Sequence, residues 1–428
     1  VLAARSEIVI PYVPRPQLRA LHTSPARFKS LVAHRRFGKT VFCINHLIRQ
    51  CVENRRKQPP PRYGYISPYY RQSKAIAWDY LRHFASPIPG AGFNESELRA
   101  DFPNSGQIRL FGADNYHTMR GLGLDGVVLD EFGDMDPRAW TQVIRPALSD
   151  RMGWAIFIGT PRGRNHFAEI HERAGQEDDW QRAVFRASET GLISEAELAS
   201  ARREMSEEEY AAEFECSFDA PVVGAYYGKE IAKLEAQGRI TSLSWDPAIQ
   251  VSTYWDLGIG DSTAIWFAQQ VGNEIRLIDY YETSGEGMAH YANLIKSKPY
   301  TYHEHVLPHD ASARLQDEHG RTRVEILQGL GVRARVLAQT ATDDGINAAR
   351  VILPRCWFDA EKCRHGLEAL RQYRREFDEK LKVFKQRPLH DWASHGADAF
   401  RYLAVGIRPV NAVKPRKPQS LGQGGWMS

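Results

Sequence analysis

Short apolar runs alternate with polar, helix-like stretches through residues 1–190. FKSLVA at 28–33, YGYIS at 63–67, QIRLF at 107–111, GVVLD at 126–130 and WAIFIG at 154–159 each predict a strand. All five are short, rich in branched and aromatic residues, and bounded by turn residues. Strands alternating with helices predict a mostly parallel sheet covered on both faces. Residues 192–216 (LISEAELASARREMSEEEYAAEFEC) read as charged amphipathic helix, with ISEAEL as its start. APVVGAYYG at 220–228 breaks that pattern. Further on, AIWFAQQVGNEIRLIDYYE reads as two strands joined at Gly272–Asn273, a hairpin signal, so the second half predicts a mixed sheet. DWASHGADAFRYLAVG at 391–406 reads as helix. The expected organisation is an α/β unit at 1–216 with a helical lid at about 190–216, then a linker at 217–248. A second unit follows at 249–408, and a basic tail at 409–428, which has no acid, is expected to be disordered.

A length of 428 residues suits about two or three domains. Hydrophobic content of 43% and charged content of 25% are those of an ordinary globular chain. A net charge of +4 is too small to diagnose nucleic-acid binding by itself. No apolar run approaches the ~18 residues of a membrane span, and the N-terminus does not read as a signal peptide. The five cysteines form no CxxC pair, which argues against a zinc ribbon and fits a reducing compartment.

Candidate chemistry appears first in AHRRFGKT at 33–40. A strand followed by GxxxxGK[ST] cradles phosphate in backbone N–H groups, with a lysine for charge and a hydroxyl for Mg²⁺. Gly38, Lys39 and Thr40 fit; Ala33 replaces the first glycine, which costs stability if that position needs positive φ. Downstream, an apolar strand ends in Asp130 and Glu131, placed to support Mg²⁺ and to polarise water. Thr160, in IGTPRG, follows the next strand and suits sensing of a γ-phosphate. Arg36 lies inside the loop, and Arg145 is the candidate for acting on a neighbour's nucleotide, with Arg120 and Arg151 as rivals. Gln17 is the candidate reader of adenine, and Arg35, Arg36 and Phe37 are candidate nucleotide contacts within the loop.

The second half carries Asp256 (YWDLGIGD), Asp310 (LPHDAS) and Asp398 (HGADAFRY). Two-metal cleavage of a phosphodiester needs carboxylates converging within about 4 Å of two ions, and Mg²⁺ prefers oxygen ligands. The strand–strand–helix order of the three suits that task. Asp261, Asp391 and His395 are candidate auxiliaries. His303, His305 and His309 lack the spacing of a zinc site. Nine basic residues between 362 and 387, with Tyr373 and Phe384 among them, form a candidate phosphate-contacting face diluted by acids.

In order and spacing these motifs resemble the large terminase subunit of tailed double-stranded DNA bacteriophages. The matching pieces are RRFGKT, RGLGLDGVVLDEF, IRPALSDRMGWAIFIGTPRG, EYAAEFECSF and the WDLG, HDA and HGADAFRY series, across about residues 15–405. The resemblance implies an N-terminal P-loop ATPase of the additional-strand class and a C-terminal RNase H-like nuclease. It implies that ATP with Mg²⁺ drives double-stranded DNA into a procapsid and that two Mg²⁺ or Mn²⁺ ions serve DNA cutting. By motif, Gly38, Lys39, Thr40 and Asp130 would hold nucleotide and metal. Glu131 would activate water, Thr160 would couple hydrolysis to movement, and Asp256, Asp310 and Asp398 would bind the nuclease metals. The implied partners are the portal protein, the small terminase subunit and other copies in a ring on the portal, with a monomer in solution compatible with this. The implied place is the host cytoplasm during assembly and not the mature virion. The rival is a helicase-like or other DNA-processing ATPase fused to an RNase H-like nuclease; a helicase's second lobe with its QxxGRxxR-type helix is not evident.

Overall fold

In the computed structural model, residues 9–220, 222–258, 262–314, 320–378 and 383–407 are described. The basic tail, Asp261 and Gly260 lie outside them. The chain forms two compact units: Val1–Lys229 with Arg371–Ser394, and Glu230–Leu370 with His395–Ser428.

The first unit is built around an eight-stranded sheet. Its strands are β1 (Phe28–Ala33), β2 (Arg62–Ser67), β3 (Gly92–Asn94), β4 (Arg99–Asp101), β5 (Gln107–Gly112), β6 (Gly126–Asp130), β7 (Trp154–Gly159) and β8 (Trp180–Phe185). Their order is β3-β4-β5-β2-β6-β7-β1-β8. Pairing is parallel from β5 to β8, and β3 and β4 add an antiparallel edge. All five expected strands are present. β1 and β6 are buried along their whole length, as continuous apolar runs require when helices cover both faces. One core packs Leu31, Phe42, Leu47 and Ile158 on one side of the sheet; the other packs Val32, Leu129, Phe157 and Phe167. β7 lies between β1, which enters the phosphate loop, and β6, which ends in Asp130. That inserted strand is the mark of the additional-strand class.

The expected single helix at 192–216 is two, Glu195–Glu204 and Glu207–Glu213. The break is a capping box: the Ser206 side chain accepts from the Glu209 N–H while the Glu209 side chain accepts from the Ser206 N–H.

The second unit has β9 (Ile240–Thr241), β10 (Val251–Asp256), β11 (Ser262–Val271), β12 (Glu274–Ser284), β13 (Tyr302–Leu307), β14 (Ala334–Val336) and β15 (Cys356–Asp359). The order is β14-β13-β10-β11-β12-β15-β9. β10, β11 and β12 form an antiparallel meander turning at Gly272, whose φ is 57°. β13 pairs parallel with β10, and β14 with β13. A three-strand meander with two parallel strands on its first edge is the RNase H-like arrangement. The fully buried Trp266 of β11 donates from its indole to the Gly396 carbonyl at 2.8 Å, seating the helix Ala393–Gly406 on the sheet.

Two segments differ from the sequence reading. The stretch read as linker contains the helix Gly228–Ala236, and β9 pairs with β15. Residues Arg371–Ser394, read as part of the second unit, belong to the first. There the hairpin β16 (Arg375–Asp378) and β17 (Val383–Pro388) follows Tyr373, whose ring stacks on Tyr227 at 5.8 Å. No helix among the described residues is long and apolar enough to cross a membrane.

Candidate functional sites

Parallel strands bring the C-terminal ends of β1, β6 and β7 to one sheet edge, and the first cluster forms there. Ala33 remains in β1, fully buried. The loop turns instead at Arg36 and Gly38, with φ of 65° and 95°. Ala33 therefore needs no positive φ and carries none of the cost expected of it. Gly38 caps the helix Lys39–Glu53 in a left-handed conformation that suits glycine.

Lys39 is buried, and its ammonium donates to the Ala33 carbonyl at 2.6 Å. Tyr65, absent from the sequence reading, donates to Asp130 Oδ2 at 2.6 Å and also reaches Thr40. Its phenol thus joins the two groups expected to hold Mg²⁺. Burial pushes the Asp130 carboxyl up to about 7, helped by the Glu131 charge; Tyr65 and Lys39 pull it back. A divalent cation would offset that crowding, so the donor set fits Mg²⁺.

Glu131 sits at φ 50° and ψ 50°, which costs a non-glycine residue roughly 1–3 kcal/mol. Its carboxylate accepts from the Thr160 N–H at 3.3 Å and hydroxyl at 3.4 Å. The turn after it is held by His166 Nε2, which donates to Phe132 O at 2.8 Å, and by Asn165, which donates to Gly133 O at 3.1 Å.

Gln17 lies on the helix Pro16–Thr23, and its Oε1 is buried with no hydrogen-bond partner. Arg36 is exposed, and Arg35 pairs with Glu213 at 3.2 Å. Phe37 needs correction as a nucleotide contact: its side chain is fully buried and stacks on Phe185 at 4.6 Å, so it anchors the loop to the sheet. Arg145 bonds Ser149 and covers the ring of Phe28. Phe28 begins β1, about 17 Å from its loop end at ~3.3 Å per residue. Arg145 thus stands at the opposite edge from its own chain's loop. Arg151 is removed as its rival by a buried ion pair with Asp125 at 2.6 Å; Arg120 is exposed.

The raised Asp130 carboxyl sets a stability test. Its proton is held more tightly in the folded chain than in the unfolded one. Its stabilising contribution is therefore complete below about pH 4 and is lost as pH rises to about 7. Asp130→Asn is expected to stabilise the metal-free protein at pH 8 by on the order of 1–4 kcal/mol, read as a higher thermal midpoint. The gain should shrink toward pH 5. A gain that grows on acidification would contradict this assignment.

The second cluster lies in the other unit. Asp256 ends β10, Asp310 sits in the turn His309–Ser312 after β13, and Asp398 is on the helix Ala393–Gly406. Because β10 and β13 are parallel neighbours, Asp256 and Asp310 emerge at the same edge. Burial above all, against an opposing His395 and with help from the charges of Asp398 and Asp310, lifts the Asp256 carboxyl to about 6. His395 Nδ1 is 3.3 Å from Asp256 Oδ2. Arg401 donates to Asp398 at 2.9 Å. Asp310 Oδ1 is buried with no hydrogen-bond partner.

The expected convergence is incomplete. Among the described residues no three His, Cys, Asp or Glu side chains stand close enough to hold a metal ion. The three aspartates share an electrostatic neighbourhood, not a preformed coordination shell. Like charges repel, and Arg401 and His395 hold two of them from the side. The orphaned Asp310 oxygen and the raised Asp256 carboxyl still fit a cation.

Asp391 belongs to the first unit, 3.7 Å from Arg374, and its Oδ1 accepts from the Ala393 N–H. His305 is a core histidine bonded to Thr253 at 2.7 Å, and burial lowers it to about 4. In the basic run, Lys385 and Arg387 both bind Glu376, and Arg375 covers Tyr226. Lys385 and Arg387 therefore share a single carboxylate. Lys380 and Lys382 lie outside the described residues.

Fold and sites together define an additional-strand P-loop unit in one chain with an RNase H-like unit. The chain is similar to terminase large subunits. It is 22% identical over 413 residues to that of Escherichia phage T5, covering 91% of this chain and 89% of the relative. It is 42% identical over 90 residues to that of Thermus phage G20c, 21% of this chain and 17% of the relative. The large terminase of bacteriophage HK97 aligns with a TM-score of 0.44 at 11% identity, over 90% of this chain and 92% of that one. No family model matches the chain.

Proposed function

We propose that this chain is a DNA-packaging motor subunit that hydrolyses ATP to move double-stranded DNA into a procapsid and cuts concatemeric DNA with a metal-dependent nuclease. The observation that carries the reading is the pairing of Lys39, Asp130, Glu131 and Thr160 on one sheet edge with an aspartate-bearing RNase H-like edge in the same chain. The extended likeness to the T5 terminase large subunit supports it.

In the ATP centre, the loop backbone and Lys39 take the phosphates, and Gln17 offers its unpartnered amide oxygen to the adenine amino group. Thr40 and Asp130 would hold Mg²⁺, which neutralises phosphate charge when bound. Glu131 orients and polarises the attacking water. Its bonds to Thr160 tie its position to the end of β7 and give hydrolysis a route into the sheet. Arg36 reaches the γ-phosphate in cis, while the placement of Arg145 supports action on a neighbouring subunit's nucleotide.

In the second centre, Asp256, Asp310 and Asp398 would hold Mg²⁺ or Mn²⁺, which supplies Lewis acidity and an activated water when bound. Arg401 steadies Asp398, and His395 steadies Asp256. We place the protein in the host cytoplasm during assembly, as a ring on the portal supplied with DNA by a small terminase subunit. The test assays Glu131→Gln and Asp256→Asn side by side in the full chain. Each is expected to remove one activity and spare the other. Loss of both in either folded variant overturns the reading.

A further inference from the structure

An ion-pair chain runs through the first unit from the phosphate loop to the segment Arg371–Ser394. Arg35 pairs with Glu213 at 3.2 Å, and Glu213 with Arg162 at 3.4 Å. Arg162 lies 3.8 Å from Asp134, and Asp134 accepts from Arg374 at 3.0 Å. Arg374 in turn lies 3.7 Å from Asp391. The members come from functionally separate places: the loop, the helix Glu207–Glu213, the residue two beyond Thr160, the turn after Glu131, and the hairpin segment. Glu213, Asp134, Asp391 and Arg374 keep side-chain exposures of 11, 19, 5 and 17%, so water screens these pairs less than surface ones.

Asp134 closes the turn Phe132–Asp134, which begins at the left-handed Glu131. Asn165 and His166 bind that turn through its backbone, and Arg374 binds its end. The segment bearing Arg374 is seated independently. Tyr226 donates its N–H to the Tyr373 carbonyl at 2.9 Å, Arg375 to Gly224 at 3.0 Å, and the Gln372 amide to the Arg162 carbonyl at 3.1 Å. A planar guanidinium on a seated backbone is a suitable clamp for a carboxylate, and a lysine would supply the charge without the fork.

We infer that Arg374 is a positioning residue for ATP hydrolysis: through Asp134 it holds the strained Glu131 turn in its water-activating geometry. The inference rests on the ATPase reading above. Arg35, 66% exposed, is free to leave Glu213 for a phosphate, so nucleotide binding changes the charge shared along the same chain. A residue 240 positions downstream of Asp134 thereby becomes part of the ATP centre's support.

The experiment measures steady-state ATP turnover of the full chain with double-stranded DNA, for wild type, Arg374→Ala, Arg374→Lys, Asp134→Ala and the double alanine variant. The inference expects Arg374→Ala to lower kcat at least tenfold with KM changed less than threefold. Arg374→Lys should recover part of the loss, and the double variant should be no slower than the slower single one. It is overturned if Arg374→Ala keeps wild-type kcat, if KM and thermal midpoint collapse with kcat while lysine rescues nothing, or if the two alanine losses multiply. No turnover in wild type would instead defeat the ATPase reading.

Discussion

Glu131→Gln is expected to slow ATP hydrolysis by about 10²–10⁴, the usual contribution of a positioned general base. The amide keeps the shape and the capacity to accept from Thr160 but cannot take a proton from water. Nucleotide affinity should hold, because the proposed phosphate contacts fall to the loop and Lys39. Glu131 adopts a left-handed backbone conformation that nothing in its own side chain favours. That strain is kept by the bonds of Asn165 and His166 to the turn, as the proposed water-directing role of the carboxylate requires. Turnover measured with saturating ATP and DNA, alongside binding of a non-hydrolysable analogue, checks this. Near wild-type turnover would move the base elsewhere.

Asp256→Asn carries the second large effect. Plasmid cutting in Mn²⁺ or Mg²⁺ is expected to fall below detection, while ATP turnover stays within about twofold. Asp256 lies among two further carboxylates and a histidine, in surroundings that already resist its charge. A divalent cation relieves that repulsion, and an amide removes the negative ligand that makes the relief worthwhile. ATP turnover should survive because Asp256 lies in the other compact unit from Lys39 and Glu131. Retained cutting by the variant would remove Asp256 from the metal centre.

The parts legible in the sequence were those with a strong physical signature. β1, β6 and β7 are buried on both faces, so they appear as unbroken apolar runs; the β11–β12 hairpin announces itself at Gly272–Asn273. Short edge strands were not read. β3 and β4 have three residues each, and β8 is only partly buried along its length. The break at Ser206 was hidden because charged helix continues on both sides of it. Motif residues were found by type and spacing, but their supports were not. Tyr65 looks like any strand tyrosine until Asp130 is placed beside it. Arg374 sits in a basic run, and its partner Asp134 is 240 residues away, a pairing no local pattern reveals. Phe37 differs for a related reason: a loop residue between charges reads as a nucleotide contact, yet the turn at Arg36 drives its ring into the core.

We propose that one chain holds a phosphate-loop centre and a separate aspartate metal centre. The most direct test is anomalous scattering from crystals of the full chain soaked in Mn²⁺. The account predicts two peaks within about 4 Å of each other, bounded by Asp256, Asp310 and Asp398, with Asp398 drawn from Arg401 toward the ions. Ordered crystals with those three side chains visible and no peak among them would contradict it.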